Sequence, residues 1–216
     1  MSTLSVREDA PDNDWEQRAP RSLTPEQWER YEGQLEEILN ALGLEPGTPG
    51  TAGTPRRLLQ ALYDVTDGYQ GDDKLLTTFP TEESEMAPAA AGQIVEGPIA
   101  FHALCEHHAL PFFGDAFVAY LPGERIIGIS KLTRLVRLYA RRFTVQERIG
   151  QQIADGLEAI LEPLGVGVYL QAQHFCTQMR GVRDLETRTR TTVWRGAFAS
   201  DPGQRDDFLR TLALSR

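Results

Sequence analysis

All the imidazoles and thiols of this chain fall in two short windows. His102, Cys105, His107 and His108 occupy the first, His174 and Cys176 the second, and the sequence holds no other histidine or cysteine. Thiolate and imidazole together form the mixed donor set that zinc prefers. A catalytic zinc site uses three protein ligands and keeps a fourth position open. Two cysteines and one histidine would complete such a set and leave histidines over for proton transfer, to which a pKa of about 6.5 is suited in both directions. Spacing does not decide which histidine would be the ligand. Three other readings compete: a Cys105–Cys176 disulfide, surface histidines in a turn, and a closed structural zinc site. The disulfide is at odds with a cytosolic chain. The structural site leaves unexplained why every histidine lies near the thiols.

A second group of residues suits an anion. Ser130-Lys131-Leu132-Thr133-Arg134 opens a helix after a strand, where free backbone N–H groups and the helix dipole favour negative charge. Lys131 and Arg134 lie one turn apart and can share a face. Arg180-Gly181-Val182-Arg183 follows Cys176 by four residues, and guanidinium groups suit bidentate phosphate contacts. Arg137, Arg141, Arg142 and Arg148 read equally well as solvated helix faces and are left unassigned. Gln146-Glu147, on an amphipathic helix, reads by itself as a solvated pair.

The elements that must carry these residues follow from periodicity and turn chemistry. Thr24-Pro25-Glu26-Gln27 forms a capping box ahead of Trp28, Tyr31, Leu35, Ile38, Leu39 and Leu42, with Gly43 placed to end the helix. A Gly/Pro/Thr linker over 46–53 leads into a second helix from Thr54-Pro55 to about Gly68. The connection 69–92 has no readable structure. Ile94 to Leu104 reads as a strand interrupted at Gly97-Pro98, which predicts an edge or bulge. Ala116–Leu121 and Arg125–Ile129 read as a hairpin around Pro122-Gly123-Glu124. Two helices follow, marked by Leu132, Leu135, Val136 and Tyr139 and then by Val145, Ile149, Ile153, Leu157, Ile160 and Leu161. Val166–His174 and Thr191–Phe198 are strands, and Asp201-Pro202 opens a terminal helix. Paired strands around a helical pair predict an α+β fold rather than an alternating parallel sheet.

Composition sets the outer limits. The 216 residues suit one domain with a small helical appendage. No apolar run approaches the roughly 18 residues of a membrane-spanning helix. The polar start shows no export signal, so a cytoplasmic location is expected, with no membrane partner. Residues 1–22 read as a disordered polar tail. The net charge of −9 argues against bulk nucleic-acid binding. Residues 125–195 nevertheless carry 12 Lys and Arg against 6 Asp and Glu, a local excess that suits a small anionic ligand.

Taken together, Cys105-Glu106-His107-His108, Gly128-Ile129-Ser130-Lys131-Leu132, Val145-Gln146-Glu147-Arg148 and His174-Phe175-Cys176 followed by Arg180-Gly181-Val182 resemble the GTP cyclohydrolase I family in order and spacing over about residues 94–198. Thr54-Pro55 with Arg57 extends the resemblance. It implies a zinc enzyme that opens the imidazole ring of GTP, releases formate and rearranges the ribose to 7,8-dihydroneopterin triphosphate, the first step of pterin and folate biosynthesis. It further implies Cys105, His108 and Cys176 as Zn2+ ligands, His107 and His174 as acid/base groups, and Ser130 in the ribose steps. Lys131, Arg134, Arg180 and Arg57 would surround the triphosphate, while Gln146 and Glu147 would read the guanine edge. The implied fold is a T-fold, an antiparallel sheet with paired helices on one face, over 69–216, preceded by N-terminal helices over 23–68. The implied assembly is a homodecamer with active sites at its interfaces. Ala103, Pro98, Arg190 and the Gly47–Gly53 stretch depart from the usual family pattern without removing a ligand or an acid/base histidine.

Overall fold

The computed structural model describes residues 21–214 except 46, 77 and 81–91. Helix α1 (Pro25–Ala41) starts on the predicted capping box. The Thr24 hydroxyl accepts from the Gln27 amide at 3.3 Å, and the Gln27 side chain accepts from the Thr24 amide at 2.8 Å. Both satisfy donors that a first turn otherwise leaves unpaired. Gly43, at φ +96°, ends the helix in a conformation that a side chain would resist. α1 packs on α2 (Thr54–Asp64), with the Trp28 and Tyr63 rings 5.4 Å apart. Arg21 falls inside the stretch expected to be a tail, yet it is bound: its guanidinium donates to Thr66 Oγ1 at 2.6 Å and to the Tyr63 carbonyl at 2.9 Å. Residues 1–20 of that expected tail lie outside the described residues.

The connection from residue 69, whose structure the sequence did not disclose, begins within a 3-10 turn, Asp67–Gln70, and continues through a second, Asp73–Leu76, to strand β1 (Phe79–Pro80). The remaining elements are β2 (Ile94–Cys105), β3 (Pro111–Leu121), β4 (Arg125–Ile126), α3 (Ile129–Ala140), β5 (Phe143–Thr144), α4 (Gln146–Leu161), β6 (Gly165–His174), α5 (Phe175–Gln178), β7 (Thr189–Gly196), α6 (Ala197–Ser200) and α7 (Pro202–Leu214). The main sheet has the order β5-β2-β3-β6-β7, and only the short β5 runs parallel to its neighbour. The fold is α+β, as predicted.

One expectation fails. Residues 116–121 and 125–129 do not pair as a hairpin. β3 lies between β2 and β6, whereas β4 pairs with β1 in a separate two-stranded ribbon. Pro122-Gly123 does turn the chain, but both edges of β3 are already taken by longer partners. The predicted irregularity at Gly97-Pro98 is present as a register shift between Glu96 and Ile99.

Alternation along the strands builds two cores. Val166, Val168, Leu170 and Ala172 of β6, with Ala116, Val118 and Tyr120 of β3, face the helical pair. There they meet Leu132, Leu135 and Val136 of α3 and Ile149, Ile153 and Leu157 of α4. Phe117, Ala119 and Leu121 point the other way, onto Phe198, Phe208 and Leu212 of the C-terminal helices. Each fully buried large apolar side chain contributes on the order of 1.5–3 kcal/mol, and the larger core lies directly beneath the site residues. The N-terminal part docks through Gly68. Its amide donates to the Arg141 carbonyl at 3.0 Å, and a Cβ there would meet the Leu138 carbonyl oxygen at 2.3 Å.

Candidate metal and anion site

β2 and β6 both run antiparallel to β3, so their C-terminal ends emerge at the same end of the sheet. Phe112, at the start of β3, pairs with Ala103 on one side and His174 on the other. The chain therefore delivers Cys105 and His174 to one corner, and the single turn of α5 carries Cys176 back toward Cys105. β5 brings in a third segment: Cys105 is registered against Thr144, and α4 begins two residues later at Gln146.

At this corner, ligand atoms of Cys105, His108 and Cys176 all lie within 4.8 Å of one another. Both cysteines are free thiols, so the disulfide reading is set aside. His107 and His108, which spacing could not tell apart, are separated by geometry. The Nδ1 atoms of both approach Cys105 Sγ, at 3.9 and 3.8 Å, but only His108 also comes within reach of Cys176. Burial and the neighbouring Cys105 push the Cys176 thiol above its ordinary pKa. Two thiols this close disfavour a pair of thiolates unless a cation compensates them. The donor set and its convergence thus fit a zinc ion. The loop between β2 and β3 is tied down by its own backbone: Ala109 and His108 donate to the Cys105 carbonyl at 2.7 and 3.3 Å, Cys105 to Leu110 at 2.9 Å, and Glu106 to Thr144 at 3.1 Å.

His174 is held in two directions. Its ring stacks on the buried Phe112, with centroids 4.5 Å apart and planes 5° from parallel. Its Nε2 lies 2.9 Å from Gln146 Oε1. Burial lowers its pKa, and the Glu147 carboxylate partly offsets this. Gln146 is 1% exposed. Its amide nitrogen faces the carbonyls of Leu170 and Thr189, at 3.2 and 3.1 Å, and Thr191 Oγ1 at 3.1 Å. The side chain expected at a ligand's edge is thus engaged inside the fold, while Glu147 beside it is exposed in the first turn of α4. A carboxylate suits that position next to the helix dipole's positive end.

The anion-type residues do not converge in the same way. Ser130 and Arg134 line an open cavity of about 380 Å³ together with Asp67, Asp72, Arg137 and Arg141. Arg134 is paired with Asp72 at 3.0 Å and Arg141 with Asp67 at 2.8 Å. Lys131 stands in the first turn of α3, where no acidic residue occurs, and burial and Arg134 lower its pKa. Arg57, on α2, donates to the Gly50 carbonyl and to Thr54 Oγ1, both at 2.9 Å. Arg180 is exposed on the segment after α5.

Three contributors were not foreseen from the sequence: Phe112 beneath His174, Asp72 beside Arg134, and the two-pronged pairing of Arg148 with Glu106 that ties the loop after β2 to α4. The last lowers the Glu106 pKa. Only the charge complementarity of Glu106 and Arg148 left any trace in the sequence, and nothing there placed the two together.

Comparison with known proteins gives this geometry a context. A profile described as GTP cyclohydrolase I matches residues 31–213. A GTP cyclohydrolase 1 of Leptospira biflexa is 42% identical over 82% of this chain and 95% of the relative. That of Deinococcus radiodurans is 41% identical over 86% and 84%, and that of Campylobacter curvus 37% over 83% and 93%. The chain belongs to the GTP cyclohydrolase I family. It is an enzyme of that family, and the match spans the metal-type corner, both helices of the pair and the segment carrying Arg180. Among the described residues, no helix is long and apolar enough to cross a membrane.

Proposed function

We propose that this protein converts GTP and water to 7,8-dihydroneopterin triphosphate and formate, as a cytosolic enzyme at the first step of pterin and folate biosynthesis. The observation that carries this reading is the convergence of Cys105, His108 and Cys176 within 4.8 Å, in a member of this family whose other two site histidines stand in the same corner. Those three residues would hold Zn2+. When bound, the ion would supply a water molecule acidic enough at neutral pH to attack C8 of guanine.

The chain's own groups account for the rest. An imidazole, His107 or His174, donates a proton to guanine N7 as the C8–N9 bond opens, and the same groups take protons back during deformylation. His174, whose pKa burial lowers, suits the acceptor role. With Ser130 it serves the proton transfers of the ribose rearrangement. Glu147 accepts from guanine N1–H and the exocyclic amine, a donor pair that adenine does not present. Lys131, Arg134, Arg180 and Arg57 neutralise the triphosphate. That these cations sit on α2, α3 and a segment beyond α5 fits a site completed between subunits. We accordingly read residues 69–216 as a T-fold domain behind a helical region over 23–68, assembled as a homodecamer.

The test is incubation of zinc-loaded protein with GTP, with formate and fluorescent oxidised pterin measured together. Equal amounts are expected, and His107→Ala should lower both by about 10²–10⁴-fold while zinc stays bound. Formate without pterin would point to a truncated reaction, and ring-opened purine without formate to a missing deformylation step. Absence of all three products from zinc-loaded protein would overturn the reading.

A further inference from the structure

The Gln146 side chain is the most completely enclosed polar group near the metal-type corner, and its surroundings leave it one orientation. The Leu170 and Thr189 carbonyls can only accept hydrogen bonds, so the NH2 end of the amide must face them. Thr191 Oγ1 joins them at 3.1 Å. Oε1 is therefore turned toward His174 Nε2, 2.9 Å away, and an amide oxygen can only accept. The nitrogen that meets it must carry hydrogen. Phe112 fixes the plane of the same ring by stacking at 4.5 Å. One contact sets the plane and the other sets the rotation within it.

We propose that Gln146 is a positioning residue that holds the His174 imidazole as the tautomer with hydrogen on Nε2, which leaves Nδ1 as the nitrogen that exchanges protons with the substrate. The clamp reaches back into the β6–β7 ladder, since Leu170 pairs with Thr191 and Ala172 with Thr189. The orientation of the imidazole is thereby referred to the sheet rather than to the exposed metal loop. This inference rests on the proposed role of His174 in proton transfer. It assigns the Gln146 side chain an action through the histidine instead of a contact with guanine.

The chain's small number of histidines makes the test direct. Four imidazoles give four pairs of ring-nitrogen signals in magic-angle-spinning NMR of ¹⁵N-histidine-labelled protein, and the difference against His174→Ala assigns one pair. The expected spectrum shows His174 with a protonated Nε2 and an unprotonated Nδ1, and Gln146→Leu shifts it toward a mixture of tautomers. Kinetically, Gln146→Leu should lower kcat by about 10–100-fold, the usual cost of losing a residue that orients a functional imidazole, with KM for GTP within about threefold. In a His174→Ala background the same substitution should cost less than about twofold, because a residue acting only through His174 has nothing left to orient. Protonated Nδ1 in the wild type, a raised KM at unchanged kcat, or full additivity of the two substitutions would overturn the proposal. If Gln146→Leu does not fold, Gln146→Met replaces it. If the wild-type protein releases no formate from GTP, the proposed activity fails, and the spectrum still decides the tautomer.

Discussion

The metal-type corner and the anion-type side of this molecule are built on opposite plans. In the corner, the ends of β2 and β6, the start of α4 and the turn of α5 bring thiols and imidazoles within a few ångströms of one another inside a single chain. On the anion side, Arg57, Lys131, Arg134 and Arg180 come from α2, α3 and the segment past α5. Two arginines of the open cavity are held by Asp67 and Asp72 rather than left bare. A small cation requires several donors at one point, so a rigid ladder must deliver them. A long flexible polyanion is satisfied by charges spread over its length, and these can come from separate elements or separate copies.

The sharpest test of this contrast is Cys176→Ala. With one of three donors gone from a preformed set, bound zinc should fall from one per chain to none and formate release to background, as metal analysis and the formate assay would show. Retained zinc would mean that the corner is less tightly specified than its geometry indicates. On the anion side, Arg134→Ala should leave zinc content unchanged and raise KM for GTP by about 10–100-fold, the value of one charge-assisted contact. A large loss of zinc in that variant would couple the two regions and break the comparison.

Gly68→Ala tests the brace between the N-terminal part and α3. The added methyl meets backbone at 2.3 Å, so stability should drop by about 1–3 kcal/mol in denaturant titration. Its effect on KM should exceed its effect on zinc content, because the 3-10 turn it belongs to carries Asp67 at the cavity rim.

The smallest expected effect concerns His102. Burial and the nearby Arg141 and Arg137 lower its pKa, and Asp67 opposes them. The unfolded chain therefore takes up this proton first as pH falls. The contribution of neutral His102 to stability is complete above about pH 6.5 and is lost as pH drops through the lowered folded value. His102→Gln should flatten the acid limb of stability against pH. The residual slope belongs in part to His174, whose pKa burial also lowers.

Much of this was legible in the sequence where the signal is local. The Thr24 capping box, the helical stripes that became α3 and α4, the irregularity at Gly97-Pro98 and the gathering of all histidines and cysteines in two windows each depend on residues close together in the chain. What failed was long-range. Residues 116–121 and 125–129 carry hairpin chemistry, but strand partners are chosen by the length and apolar face of distant segments, which periodicity does not report. Gln146 is the clearest case at the site. In the sequence it is a polar residue on a helix, and only the register of β6 against β7 shows that two carbonyls and a hydroxyl await its amide. Phe112 was equally silent, since a phenylalanine at the start of a strand does not disclose which ring it will carry.

The loop holding Cys105 and His108 has a further consequence. The amides of Cys105, Glu106, His108 and Ala109 are all bonded to carbonyls of the loop itself or of the adjoining Thr144. The loop is thus closed by folding alone, and an ion bound at the proposed site would find the two donors of this loop in place instead of gathering them. Its hydrogen exchange should be slow with or without metal. For the proposed Zn2+ site, loading would then be set by the supply of the ion and not by the progress of folding, and chains would wait, fully shaped, for their metal.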